Sequence, residues 1–177
     1  MALKYNDGTY GFVPFTFPYV TFNQTTYNNG STPDERGLIF QFPVAVRIAA
    51  AWTQFTPTAT NGAFDIVLYD SDGTTALETI SVDGNVHRGV GANTGGLTYV
   101  WFSQSRELLA NTNYRLVVKP TTVNNSLNSC DWYMNTAGML DALEGGQNWH
   151  ETTRTDGGAW TQTTTRRPMI GLLLDGL

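Results

Sequence analysis

The residues best suited to chemistry lie in the segment 144–160, EGGQNWHETTRTDGGAW. There Trp149 and Trp160 bracket His150 and Glu151. Exposed indole rings stack on the C–H groups of a pyranose, and carboxylates accept hydrogen bonds from sugar hydroxyls. The spacing therefore allows a glycan platform made of these four residues. The competing interpretation is that both tryptophans are half-buried hairpin residues or are covered by a neighbouring subunit.

Groups that could catalyse a reaction are sparse. A glycosidase needs two carboxylates roughly 5 to 10 Å apart across a cleft, and nothing in the spacing of Glu144, Glu151 and Asp156 selects a pair. The nucleophile motif G-x-S-x-G and the metalloprotease motif H-E-x-x-H are both missing, and His87 and His150 are the only histidines in the sequence. We therefore expect neither enzyme activity nor a catalytic residue.

Metal and cofactor motifs are also weak. The tetrapeptide DSDG at 70–73 resembles the start of a calcium loop, but an EF-hand loop needs Gly sixth and Glu twelfth, whereas Gly is fourth and Ser81 twelfth here. A hairpin turn is the better interpretation, with a calcium site at the sandwich edge as the alternative. The single Cys130 excludes a Cys-based zinc cluster and an intramolecular disulfide. The glycine-rich loop 87–96 lacks the G-K-[ST] ending of a phosphate loop. We expect no metal and no cofactor.

The elements that must position these residues are strands. In the segment 62–80, Phe64, Ile66 and Leu68 alternate with other residues at the period of two that is typical of a strand with one face on a core. Short strands separated by turn residues favour an all-β antiparallel β-sandwich, jelly-roll-like in arrangement. We predict strands near 38–42, 44–55, 63–69, 75–82, 97–103, 113–119, 129–136, 149–155, 159–165 and 168–174, and a short helical segment at 138–144.

The first 37 residues differ from the rest and predict an extended aromatic N-terminal arm (1–37) ahead of a sandwich domain (38–177). They hold eight of the 22 aromatic residues and are interrupted by Pro14, Pro18 and Pro33, which forbid a helix and disfavour a central strand. Such an arm packs either over its own sandwich or on a neighbouring subunit. The candidate contact residues are Tyr10, Phe12, Phe15, Phe17, Tyr19 and Phe22.

Composition excludes several classes of partner. The net charge of −5 and the pI near 4.8 work against a phosphate-backbone groove, so we expect no nucleic-acid binding. No apolar run approaches the roughly 18 residues of a membrane span, and no secretory signal pattern opens the sequence, so we expect a protein made in the cytoplasm without a membrane partner. Charged residues make up 14% against about 25% in typical domains. A surface with so few charges can be covered by another subunit at low desolvation cost.

Two segments carry a family resemblance. GAFDIVLYDSDGTTALETI (62–80) followed by ELLANTNYRLVVKPTT (107–122) resembles the carbohydrate-binding-module-like jelly-roll domains of tailed-bacteriophage virion proteins, and the likeness extends weakly to TTTRRPMIGLLLDG (163–176). The resemblance implies a non-enzymatic virion protein: a capsid decoration or auxiliary protein, or a minor tail component. The implied partners are major capsid or tail proteins and further copies of the chain. The alternative is a carbohydrate-binding module that uses Trp149 and Trp160.

Overall fold

The computed structural model describes residues 11–14, 22–27, 34–56, 63–83, 96–121, 130–135, 150–155, 157–164, 166–168 and 170–175. These residues form thirteen strands and no helix, and so no helix that could cross a bilayer. The strands are β1 (Gly11–Pro14), β2 (Phe22–Tyr27), β3 (Asp34–Phe40), β4 (Val46–Thr56), β5 (Ala63–Tyr69), β6 (Ala76–Asp83), β7 (Gly96–Leu108), β8 (Tyr114–Pro120), β9 (Cys130–Asn135), β10 (His150–Thr155), β11 (Thr161–Thr163), β12 (Arg167–Pro168) and β13 (Ile170–Leu174).

The strands are arranged in two antiparallel sheets. One has six strands in the order β11-β10-β3-β8-β5-β6. The other has seven, with the path β1-β13-β4-β9-β12, while β7 pairs with β4 and β2 pairs with β9. The prediction of an all-β antiparallel sandwich is confirmed. Each of the ten predicted strands corresponds to an observed one, except that 168–174 is divided between β12 and β13. The predicted helical segment 138–144 lies outside the described residues, and so do residues 87–95 of the glycine-rich loop.

The core lies between the sheets and follows from the strand alternation. Leu38, Leu116 and Leu68 are paired side by side across β3, β8 and β5, and all three are fully buried. The seven-stranded sheet contributes Ile48 and Leu172, also fully buried, to the same cluster. Each such side chain stabilises the fold by about 1.5 to 3 kcal/mol relative to exposure.

Two pieces of the predicted arm are strands of the seven-stranded sheet. Phe12 in β1 pairs with Leu173 in β13, and Phe22 in β2 pairs with Asn135 in β9. An edge strand tolerates a proline at its end, which is why Pro14 can close β1. The predicted boundary at residue 38 falls inside β3, because that strand begins at Asp34. Four of the proposed contact residues lie outside the described residues, namely Tyr10, Phe15, Phe17 and Tyr19.

Candidate functional site

A tight turn joins β5 to β6 at the predicted DSDG position. The Asp70 N–H donates to the Thr75 carbonyl (2.8 Å), and the Gly73 N–H donates to the Asp70 carbonyl (2.9 Å). The Asp72 carboxylate accepts from the backbone N–H groups of Thr74 and Thr75, both at 2.8 Å, and from the Thr75 hydroxyl. These bonds hold the pKa of Asp72 well below its usual range. The prediction of a hairpin turn here is confirmed.

The carbonyl of Gly73 connects this turn to the opposite end of the six-stranded sheet. It accepts a hydrogen bond of 2.9 Å from the indole N–H of Trp160 and one of 3.3 Å from Nη1 of Arg154. Gly73 has a φ of +68°, a conformation that glycine adopts without strain. The turn that looked like a metal loop therefore serves as a docking point for the β10–β11 hairpin.

Strand register explains why distant residues meet on the outer face of this sheet. Arg154 in β10 pairs with Glu35 in β3, and Tyr69 in β5 pairs with Arg115 in β8. Paired residues of antiparallel strands place their side chains on the same face. Together with Trp160, these four residues form what we name the Trp160 cluster. Its Trp160 ring packs against a small buried group in which Tyr69 contacts Val67 and Val117.

Glu35 is the anion of the Trp160 cluster and is fully buried. Arg154 donates to its carboxylate in a bidentate manner, from Nε at 3.0 Å and from Nη2 at 3.1 Å. The Tyr69 hydroxyl donates at 2.7 Å, and Nζ of Lys119 lies 3.6 Å away. A buried carboxylate requires this degree of pairing, because removal of one partner from a buried ion pair costs about 3 to 5 kcal/mol.

Aromatic rings and guanidinium groups stack around this ion pair. The guanidinium carbon of Arg154 lies 4.8 Å from the Tyr69 ring centroid and 4.3 Å from that of Trp160. Arg115 lies over Trp160 at 5.2 Å, and the Tyr69 and Trp160 rings meet edge to face at 5.8 Å. Burial, followed by the hydrogen bond to Glu35, raises the pKa of Tyr69 to about 12. The phenol is therefore a hydrogen-bond donor at neutral pH and not a general base.

The residues of the predicted glycan platform are not all on one surface. His150 and Glu151 are neighbours in β10, so their side chains point to opposite faces of the sheet. Nε2 of His150 lies 2.8 Å from Oε1 of Gln162. The Trp160 ring is half-buried in its cluster. Trp149 lies outside the described residues.

Glu151 is buried in a separate set of ion pairs. Its carboxylate lies 3.5 Å from Nε of Arg36 and 3.6 Å from Nη1 of Arg166, and its side chain is 1% exposed. Neither a sugar hydroxyl nor a substrate can reach a carboxylate at that depth without rearrangement of the two arginines. In this conformation Glu151 holds β3, β10 and the segment before β12 together.

A polar cavity of about 240 Å³ opens beside the β10–β11 hairpin. Its walls include Arg36, Thr153, Thr155 and Thr161, together with the turn at Gly158. Threonine hydroxyls and a guanidinium can hold water or a small polar molecule. The lining provided by the described residues includes no carboxylate, histidine or cysteine.

Glu78 connects the two sheets at one side of the sandwich. Its carboxylate accepts from the Ser103 backbone N–H (2.9 Å) and hydroxyl (3.0 Å), and from Nη2 of Arg106 (3.0 Å). Burial opposes ionisation, but these bonds outweigh it and lower the pKa of Glu78. Glu78 was not predicted as a functional or structural residue, although it shares its parity in β6 with the inward-facing Ile80 and Val82. A charge at such a position signals a buried partner.

Four large apolar side chains are exposed among the described residues. Tyr99 (46% exposed) and Trp101 (55%) alternate with Val100, which faces the core, and so share the outer face of the seven-stranded sheet. Val44 and Leu109, each 58% exposed, lie at one end of the sandwich in loops connected by the bond from the Asn111 N–H to the Phe42 carbonyl (2.7 Å). These side chains present apolar surface to solvent.

Among the residues that the structure describes, no three histidine, cysteine or carboxylate side chains converge as metal ligands. No protein-family model matches the chain, and no curated protein is significantly similar to it.

Proposed function

We propose that this chain is a non-enzymatic virion structural protein, either a capsid decoration or auxiliary protein or a minor tail component. In this role it binds neighbouring subunits through its N-terminal arm and the faces of its sandwich. Its partners are major capsid or tail proteins and further copies of itself. The resemblance of segments 62–80 and 107–122 to virion jelly-roll domains supplies the class.

The observation that carries an interaction role is the set of exposed apolar side chains. Trp101 and Tyr99 on one face, with Val44 and Leu109 at one end, present rings and branched chains to solvent. Aromatic residues are enriched in the buried parts of protein interfaces, and exposed apolar patches mark interaction sites.

The placement of charge also supports a structural role. Glu35, Glu78 and Glu151 are each buried against arginines of the same chain. These carboxylates are held in internal ion pairs that fix strand to strand, and carboxylates so held are poorly placed to act on a substrate. A rigid sandwich with apolar side chains outside is suited to assembly.

Quantitative mass spectrometry of purified virus particles tests this proposal. We expect the chain in every preparation, at a constant ratio to the major capsid or tail protein. A chain that is abundant in infected-cell lysate but absent from purified particles would contradict the proposed function.

The arm is tested with variants, because deletion of residues 1–27 would also remove β1 and β2 from the sheet. Replacement of Phe15, Phe17 and Tyr19 by Ser spares both strands and should weaken binding to particles that lack the protein. Unchanged binding by a folded triple variant would show that these three side chains make no contact with the particle. The carbohydrate-binding alternative stays a prediction, and a glycan array with the Trp149→Ala and Trp160→Ala variants tests it.

A further inference from the structure

Arg115 in β8 differs from the other arginines of the sandwich. Every other arginine side chain that the structure describes lies within ion-pair distance of a carboxylate; these are Arg36, Arg47, Arg106, Arg154 and Arg166. Among the described residues, no carboxylate pairs with Arg115 in this way, and no group accepts a hydrogen bond from its buried Nε. A charge that leaves water is normally paired, so this arginine lacks the usual compensation.

The Arg115 guanidinium lies against the indole of Trp160 and the backbone of the turn at Gly73. Its central carbon is 5.2 Å from the centroid of the Trp160 ring. A Cβ built on Gly73 would lie 2.7 Å from Nη1 of Arg115, so this nitrogen is in direct contact with the turn. Arg115 as a whole remains partly exposed on the outer face of the six-stranded sheet. Packing therefore holds the guanidinium in place, while a ligand can approach the side chain from solvent.

The charges around Arg115 do not neutralise it. Burial and then the positive charge of Arg154 lower the pKa of Arg115, and the carboxylate of Asp72 offsets this only in part. Glu35, the buried anion of the Trp160 cluster, is bound by Arg154 in a bidentate manner. Asp72 accepts its hydrogen bonds from the turn to which it belongs. A guanidinium stays protonated at neutral pH, so Arg115 is a partly buried cation that no described carboxylate contacts.

We propose that Arg115, beside Trp160, binds a small oxyanion: an inorganic phosphate or the carboxylate of an acidic sugar. The planar guanidinium presents paired N–H donors whose spacing matches the oxygens of both groups. A bound oxyanion supplies the negative charge that the surroundings of Arg115 lack. The site is separate from the proposed assembly surfaces and does not depend on the virion role.

The expected binding is weak but local. One guanidinium provides few charge-assisted hydrogen bonds, so we expect a Kd on the order of 1 mM. The net charge of −5 repels anions at long range, so saturable binding has to come from contacts at the site itself. At a paired arginine such as Arg47, an added anion would have to displace Asp175 of the same chain. Arg115 requires no such displacement.

NMR titration of the unmodified chain tests the inference. Sodium phosphate and sodium glucuronate are added separately, with sodium chloride holding the ionic strength constant because salt screens the net charge. The indole N–H signal of Trp160 and the Nε–H signal of Arg115 should shift saturably and give one Kd, whereas the indole signal of Trp101 on the other sheet should not shift. The anion with the lower Kd identifies the preferred source of the oxyanion. Absence of a saturable shift with both anions would overturn the inference.

Variants then separate Arg115 from a general response to charge. Arg115→Gln removes the cation and should raise the Kd at least tenfold, while Arg115→Lys keeps the charge without the planar donors and should raise it severalfold. Arg47→Gln is the matched control: it removes the same charge from an arginine that is paired with Asp175, and it should leave the Kd unchanged. Equal weakening by Arg47→Gln and Arg115→Gln, or an unchanged Kd in a folded Arg115→Gln variant, would overturn the assignment of the site.

Discussion

The indole N–H of Trp160 donates a 2.9 Å hydrogen bond to the carbonyl oxygen of Gly73. Trp160 lies between β10 and β11, whereas Gly73 lies in the turn between β5 and β6, and β3 and β8 separate these two pairs of strands in the sheet. The Trp160 cluster therefore connects the β10–β11 hairpin to the β5–β6 turn across the outer face of the six-stranded sheet.

Substitution of Trp160 separates its hydrogen bond from its packing. Trp160→Phe removes the N–H donor and part of the indole but keeps an aromatic ring beside Tyr69 and Arg154, and it should lower the free energy of unfolding by about 1 to 2 kcal/mol. Trp160→Ala also removes the ring from Tyr69 and Arg154 and should lower it by about 2 to 4 kcal/mol. Urea unfolding measures both. The control Trp101→Phe, on the exposed face, should change stability by less than about 0.5 kcal/mol. If the two Trp160 variants lost the same free energy of unfolding, the packing of the ring in the Trp160 cluster would not contribute to stability, and the prediction would be wrong.

Two glycines with positive φ form a matched pair. Gly73 (φ +68°) and Gly157 (φ +74°) both have left-handed backbone. A Cβ at Gly73 would lie 2.7 Å from Nη1 of Arg115 and 2.9 Å from Nε1 of Trp160, while one at Gly157 meets no atom within 4 Å. Gly157→Ala should cost about 1 kcal/mol of backbone strain, and Gly73→Ala about 1 to 2 kcal/mol more. Thermal unfolding measures the stability that each variant loses. A smaller loss for Gly73→Ala than for Gly157→Ala would contradict the close packing of Arg115 and Trp160 on the turn.

The pair of Glu35 and Arg154 should be strongly coupled. Glu35→Gln or Arg154→Met alone leaves a buried charge without its partner and should cost about 3 to 5 kcal/mol. The double variant should cost clearly less than the sum of the two, and a double-mutant cycle in urea measures the difference. Arg47→Met is the control, since its 3.9 Å pair with Asp175 is half exposed, and it should cost at most about 1 kcal/mol. Simple additivity at the buried pair would refute the coupling.

Acid should weaken the connection between the sheets at Glu78. Its folded-state pKa is lower than the ordinary value of 4.5, so its ionised form stabilises the fold above that pH. This contribution is lost as the pH falls from 4.5 through the folded-state pKa. The free energy of unfolding of the unmodified chain should therefore decrease more steeply below pH 4.5 than that of Glu78→Gln. Parallel acid profiles for the two proteins, measured by urea unfolding, would contradict this prediction.

Alkali should destabilise the fold at Tyr69, because the pKa of Tyr69 is raised whereas that of Glu78 is lowered. Its pKa is raised from 10.0 to about 12, so its neutral form stabilises the folded state below pH 10, and this contribution is lost as the pH rises from 10 towards 12. Tyr69→Phe should be less stable than the unmodified chain by about 1 kcal/mol at neutral pH, because it lacks the bond to Glu35. That difference should narrow above pH 10. A constant difference in urea unfolding would show that the phenol titrates normally.

The strand positions and the DSDG turn were predictable because their signals are local. Phe64, Ile66 and Leu68 show the period of two within a few residues, and glycine at 73 satisfies a conformation that the turn itself requires. The buried carboxylates were not predictable in the same way. Glu35 and Arg154 are far apart in sequence, and no pattern in the residues around either of them indicates that they pair.

The candidate platform shows the same limit. The sequence suggested a common platform because Trp160 lies close to His150 and Glu151 along the chain. Strand alternation then directs His150 and Glu151 to opposite faces, and the docking of the hairpin places Trp160 over Arg154. Residues that are neighbours in sequence can thus belong to three separate environments.

Sequence alone determined that this protein is an antiparallel β-sandwich with a turn at residues 70–73, because alternation and turn chemistry depend on contacts within a few residues. Only the tertiary structure decided that Gly73 binds Trp160, that Glu35 binds Arg154, and that Tyr99 and Trp101 remain exposed. The reason is physical: strand register fixes which distant side chains share a face, and burial then requires each charge to meet its partner there.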